Sequence, residues 1–183
     1  MKNFRIYLVG ESNSGKSSII NALKNKPFNF NISQTIGVDY WSFTKNQTKF
    51  EIYDTSGLKK FEQATILGMK SANLIIICFD LCSSTAYQDV EKWLNIVLTH
   101  KSVTQTIIIG NKMDKQLQKK NENIRHLIQN YSFYKTSALN SKSVKKVFED
   151  IVQNLLITSQ IVDRVEISPM LVQVQKRNWL CLC

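Results

Sequence analysis

The sequence predicts an α/β fold in which helices cover both faces of a mostly parallel sheet. Apolar runs of strand length alternate with helix-period segments along most of the chain. A glycine-bearing loop joins the first strand to the first helix, in the order expected of a phosphate-binding turn. One pair of strands is separated by only a few polar residues, so it forms an antiparallel hairpin, and the remaining links are right-handed crossovers.

Each element follows from its own pattern. Residues 4–9 are an apolar run and read as a buried strand. Gly10, Glu11, Ser12, Asn13, Ser14, Gly15, Lys16 and Ser17 follow with the form G-x-x-x-x-G-K-[ST], and residues 17–23 carry apolar side chains at helical spacing. Strands are expected at 38–43 and 49–54, which form the hairpin. Helices are expected at 60–70, 85–98, 122–130 and 143–157, with strands at 74–80, 105–110 and 132–135 between them. The helical pattern fades from about Thr158 and Pro169 follows. The expected organisation is therefore one phosphate-loop domain over residues 1–157 and a flexible tail over 158–183.

Composition narrows the function classes. A net charge of +10 favours anionic company, but Lys119-Lys120 and Lys145-Lys146 are short pairs without interleaved aromatics. A solvated lysine-rich surface is expected, with no nucleic-acid partner. The longest apolar run, 74–79, is too short to span a bilayer, and Arg5 interrupts the first one, so no signal peptide is read and the chain is expected in the cytosol. Four cysteines in such a chain do not suggest a disulfide framework, and Cys78 is read as core packing.

The loop chemistry is specific. Its glycines let successive N–H groups and a helix N-terminus face phosphate oxygens. Lys16 would face the outer phosphates and the Ser17 hydroxyl would ligate Mg²⁺. Asp54 ends a strand and would reach the same ion across the site, while the Gly57 N–H would meet a terminal phosphate. Thr35, in the segment before the hairpin, would complete the metal shell only when a third phosphate is present. Asn111-Lys112-Met113-Asp114 follows a strand. A carboxylate at Asp114 accepting two N–H bonds selects guanine over adenine, Asn111 would hold neighbouring loops, and the Lys112 stem would cover one face of the base. Thr136, Ser137 and Ala138 follow the next strand and would offer amides to the guanine oxygen.

On these residues the chain resembles the Ras superfamily of small GTPases, most closely its Rab branch. The resemblance spans roughly residues 4–157 plus the terminal cysteines. It covers Gly10–Ser17, Thr35, Asp54–Gly57, Asn111–Asp114 and Thr136–Ala138 in family order, and Thr35-Ile36-Gly37-Val38-Asp39-Tyr40 is similar to the Rab effector-loop signature. It implies a six-stranded sheet with one antiparallel strand and GTP/GDP with Mg²⁺, held by Ser17, Thr35 and, through water, Asp54. Ser18 joins the loop residues as a nucleotide contact. The implied partners are effectors, an exchange factor, a GTPase-activating protein and a prenylation escort protein, for a monomer that switches in vesicle traffic. Phe28 has two readings: the family aromatic packed on guanine, or a hydrophobe closing the first helix.

The departures matter as much. Leu58 stands where the family places the glutamine that orients the attacking water, so slow intrinsic hydrolysis is expected. Ser56 replaces an alanine, Lys59-Lys60 a Glu-Arg pair, and Gly68-Met69-Lys70-Ser71 a Tyr-Tyr-Arg-Gly run. The 111–136 interval is short, which predicts a trimmed fourth helix. Cys181 and Cys183 resemble the Rab pattern for double geranylgeranylation, implying a lipid anchor on the cytosolic face of an intracellular membrane. Residues 171–174 read either as an escort-protein patch or as a short apolar tail segment. The alternative to a cycling switch is a GTP-locked scaffold that recruits effectors without hydrolysis. An ATP-using phosphate-loop enzyme is disfavoured by Asn111–Asp114.

Overall fold

The computed structural model describes residues 2–100, 105–115 and 122–166. Its strands are β1 (Lys2–Val9), β2 (Val38–Lys45), β3 (Thr48–Thr55), β4 (Leu74–Asp80), β5 (Gln105–Asn111) and β6 (Ser132–Lys135). They form one sheet in the order β2-β3-β1-β4-β5-β6, parallel throughout except for the β2–β3 hairpin. The helices are α1 (Lys16–Leu23), α2 (Glu62–Met69), α3 (Ala86–His100), α4 (Glu122–Ile128) and α5 (Ser141–Glu166). The predicted fold class and strand count agree with this architecture.

Local chemistry accounts for the elements. Asn46 and Gln47 both take positive φ, 49° and 58°, the geometry of a two-residue hairpin turn that matches the strand twist between β2 and β3. β4 reads Leu-Ile-Ile-Ile-Cys-Phe without alternation because both of its faces are buried. One sheet face, carrying Tyr7, Val9, Ile75, Ile77 and Ile108, packs with Ile66 and Met69 of α2 and Val90, Trp93 and Val97 of α3. The opposite face buries Ile6, Leu8, Leu74, Ile76, Ile107 and Ile109, and α1 contacts β3. Cys78 is buried in β4, as predicted.

Most boundaries shift by one or two residues, and two of the differences have a local cause. The predicted helix at 60–70 starts as a 3-10 turn, Lys59–Phe61, closed by the Phe61 N–H donating to the Leu58 carbonyl at 2.9 Å. Phe61 leaves α geometry (φ −106°, ψ 2°), so α2 begins only at Glu62. At the other end α5 runs to Glu166, past residue 157 where its sequence pattern fades. Residues 158–166 contain neither Gly nor Pro, so backbone helix continues after the apolar stripe has ended. Among the described residues α4 is seven residues long. The chain divides into two compact units, residues 1–145 and 146–183. The first holds the sheet, α1–α4 and the start of α5. In the second, Val147, Phe148, Ile151, Val152, Leu155 and Leu156 form the buried stripe of α5.

Gly68 lies where α2 meets Tyr7: a Cβ there would come within 3.0 Å of the Tyr7 ring. That ring stacks on Tyr53 (centroids 4.4 Å apart, 9° between planes), and Tyr53 meets Tyr40 edge-on at 5.5 Å. Beside this ladder Glu51 accepts hydrogen bonds from Lys49 Nζ at 2.8 Å, Asn3 Nδ2 at 2.9 Å and the Tyr40 hydroxyl at 3.0 Å.

Those donors, Lys49 first, hold the Glu51 carboxyl at about 2 instead of its ordinary 4.5. A lowered folded-state value means that the unfolded chain binds the proton more tightly. The stabilisation is therefore complete above about pH 4.5 and is lost as pH falls toward 2. Glu51→Gln should lower stability at pH 7–8, where the charge contributes in full, and flatten the acid limb so that the two proteins converge as pH falls toward 2, as read from denaturant midpoints across pH.

Candidate functional site

The carboxyl ends of β1, β3 and β5 and the loop after β6 deliver one cleft of about 400 Å³. Ser12, Asn13, Gly15, Lys16, Ser17 and Ser18 line it from the first loop, Thr35, Gly57 and Leu58 from two others, and Asn111, Lys112, Asp114 and Ala138 from the far end. Gly15 caps α1 at φ 93° without a side-chain bond, which leaves the first amides of the helix for an anion. A Cβ on Gly15 would overlap the Asn111 amide nitrogen, so only glycine lets these loops meet.

Lys16 is buried, and its ammonium donates to the Gly10 and Glu11 carbonyls at 2.9 Å each and to Ser14 Oγ at 3.3 Å. Burial pushes its pKa down, offset in part by nearby negative groups including Asp54. At the other pole Ser17 Oγ and Thr35 Oγ1 lie 2.8 Å apart. Asp54 is only 3% exposed, its Oδ1 has no hydrogen-bond partner, and burial pushes its carboxyl pKa up. Ser17, Thr35 and Asp54 line one adjoining groove. Two hydroxyls and an orphaned carboxylate oxygen are the hard donor set that suits Mg²⁺.

The far end is held by Asn111. Its Nδ2 donates to the Ser14 carbonyl at 3.2 Å, and its Oδ1 accepts from Thr136 Oγ1 at 3.2 Å and from the Ala138 N–H at 3.1 Å. Lys112 takes φ 63° and its ammonium pairs with Asp80 at 2.7 Å. Asp114 accepts a short hydrogen bond from Ser137 Oγ, which positions its carboxylate beside the cleft.

Several residues sit differently from expectation. Gly10, Glu11, Ser14 and Ser137 do not line the cleft themselves. The Gly10 backbone packs under the loop on the Cys78 carbonyl, Ser14 offers its carbonyl to Asn111, and Glu11 turns away to Lys92 and Trp93. The amides of Thr136, Ser137 and Ala138 already donate to the Gly110 carbonyl, Ser143 Oγ and Asn111 Oδ1. Phe28 lines the cleft five residues past Leu23, the last residue of α1, which removes its reading as a helix-closing hydrophobe. Its ring meets Phe30 edge-on at 4.9 Å. Cys181 and Cys183, and residues 171–174, lie outside the described residues.

Sequence reasoning missed Phe30, Gln34 and Asp80. Gln34 donates from Nε2 to Ser12 Oγ at 3.4 Å across the cleft, and Phe30 is 83% exposed on its rim. An exposed aromatic two residues from Phe28 was the available signal. The Asp80–Lys112 pair had none, because it joins separate strand ends.

Comparison with known proteins gives a consistent picture. A family model described as the Ras family matches residues 5–157. The chain is 29% identical to the Ras-related protein RABA5c of Arabidopsis thaliana over 161 residues, covering 83% of this chain and 75% of that protein. It is 28% identical to Ras-related protein Rab-25 of Oryctolagus cuniculus over 175 residues, 91% of this chain and 81% of that one. Ras-related protein Rab-13 of Canis lupus familiaris is 26% identical over 165 residues, with 85% and 81% covered.

Removing the Asn111 amide would strip the Ser14 carbonyl of a donor and leave two buried donors without their acceptor. Asn111→Ala should lower the stability of the nucleotide-free protein by about 3 kcal/mol, within the range for several groups left unsatisfied. Thermal unfolding checks this, with the exposed Asn95→Ala as the neutral comparison.

Proposed function

This chain belongs to the Ras family, as a Rab-like small GTPase, and we propose that it is a membrane-tethered guanine-nucleotide switch acting in vesicle traffic. The observation that carries this reading is the meeting of three features in one cleft: a phosphate loop around Lys16, the Ser17–Thr35 hydroxyl pair, and the Asp114 carboxylate.

Each residue has a role in this reading. Lys16 and the α1 N-terminal amides bind phosphate oxygens, and Gly57 offers its N–H to the terminal one. Asp114 accepts the two guanine N–H groups, Lys112 and Phe28 flank the base, and Asn111 holds the loops that carry them. Ser17 and Thr35, with Asp54 through water, hold Mg²⁺, which when bound neutralises charge on the phosphates. Cys181 and Cys183 carry the lipid anchor, and the protein acts on the cytosolic face of an intracellular membrane with effectors, an exchange factor, an activating protein and an escort protein.

Hydrolysis is the step where this chain stands apart. Leu58 lines the cleft with an apolar side chain, and its N–H donates to Ser56 Oγ at 3.3 Å. Its side chain offers no group to orient water, so intrinsic turnover is slow. The same residue supports a second reading, a scaffold that stays with GTP and recruits effectors. The nucleotide released on denaturing purified protein separates the two: GDP marks a cycle and GTP marks the scaffold.

Titration with GDP, GTP, ADP and ATP in the presence of Mg²⁺ should give a clear guanosine preference. Asp114→Ala should weaken guanosine binding about 100-fold, the loss expected for two charge-assisted hydrogen bonds. Equal affinity for adenosine phosphates would sink the reading. In single-turnover hydrolysis Leu58→Gln should be about 100-fold faster than the native chain, the low end of the ~10²–10⁴ span of positioned general catalysis; an unchanged rate would remove Leu58 as the limiting residue.

A further inference from the structure

Glu11 occupies a variable position of the phosphate loop, yet its side chain is bound by two residues of α3. Its Oε1 accepts from Lys92 Nζ at 2.6 Å and from the Trp93 indole N–H at 3.0 Å. Trp93 is 1% exposed and sits in the core between α3 and the sheet, so this donor is fixed in place. Lys92 Nζ also lies 2.7 Å from Glu62 Oε2, in the first turn of α2. One ammonium thus ties the phosphate loop to the segment that begins at Gly57.

A second contact runs between the same two pieces of chain. Gly57 packs so closely on the Glu11 and Ser12 backbone that a Cβ there would overlap it. The Glu11 carbonyl in turn accepts from Lys16 Nζ at 2.9 Å. Segment 57–62 is therefore fixed to the phosphate loop at both ends, by backbone contact at Gly57 and by the Glu62–Lys92–Glu11 bridge.

We propose that Lys92 is a positioning residue, a charge latch that holds segment 57–62 against the phosphate loop and so preorganises the cleft for a third phosphate. This rests on the nucleotide reading above and adds a regulating element, α3, that touches neither base nor phosphate. The physical reason is entropic. A segment already ordered before the terminal phosphate arrives loses less freedom on binding it, so the latch favours triphosphate over diphosphate. The bridging charges are partly exposed, with side chains of Lys92, Glu11 and Glu62 at 40%, 30% and 21% accessibility, so salt weakens the latch.

The test measures dissociation of fluorescent GDP and of a fluorescent, non-hydrolysable GTP analogue from the full chain with Mg²⁺. Lys92→Met keeps the stem and removes the charge. It should speed release of the triphosphate analogue roughly three- to tenfold relative to GDP, the size expected for two partly screened ion pairs. Lys92→Arg should restore the native ratio, Glu62→Gln should reproduce part of the loss, and high salt should move the native ratio toward that of Lys92→Met. If the native chain binds both nucleotides and Lys92→Met leaves their release ratio unchanged, the latch is overturned. If the native chain binds neither, the nucleotide reading falls and the latch with it.

Discussion

The Asn111 side chain is the constraint on which the cleft depends. A parallel sheet brings the ends of β1, β5 and β6 to one edge, but ladder hydrogen bonds stop where the strands stop. Beyond that point nothing in the sheet sets one loop against another. Asn111 does so with three hydrogen bonds, one to the loop after β1 and two to the turn after β6. Its burial raises the penalty for losing any of them, because a buried amide without partners loses the water it gave up on folding. Gly15 completes the arrangement by having no Cβ to keep the amide away.

Within that frame the two principal charges are both held out of water. Burial depresses the pKa of Lys16 and raises that of Asp54, so each is pushed toward its neutral form in the ligand-free protein. Each also lowers the other's penalty a little, as their mutual attraction requires. The ammonium satisfies its donors on loop carbonyls and Ser14, whereas Asp54 Oδ1 is left without a partner. That oxygen is an acceptor open to a bound cation.

Legibility from sequence followed range of interaction. The phosphate loop, Asp54, Asn111 and Asp114 were visible because each is a short pattern read against a strand end. The hairpin was visible because only a few polar residues separate two apolar runs. What escaped was non-local. Glu11 reaches Lys92 across 81 positions, and the Tyr7–Gly68 contact joins β1 to α2. Neither residue of such a pair signals the other. The end of α5 was missed for a different reason: burial sets the periodic signal, while backbone helix persists until a breaker, and residues 158–166 have none.

The Tyr7–Gly68 contact also bears on how α2 sits on the sheet. Gly68 is the penultimate residue of α2, where glycine costs at most about 1 kcal/mol relative to alanine. The Tyr7 ring packs against the bare face of Gly68 and stacks on Tyr53. Tyr40 extends the ladder along β2. The ladder is anchored from below by Glu51, which binds the Tyr40 hydroxyl together with Lys49 and Asn3. Gly68 and Tyr7 therefore share one contact. A substitution at either must be judged with the other, because a Cβ at position 68 would press on the Tyr7 ring at 3.0 Å.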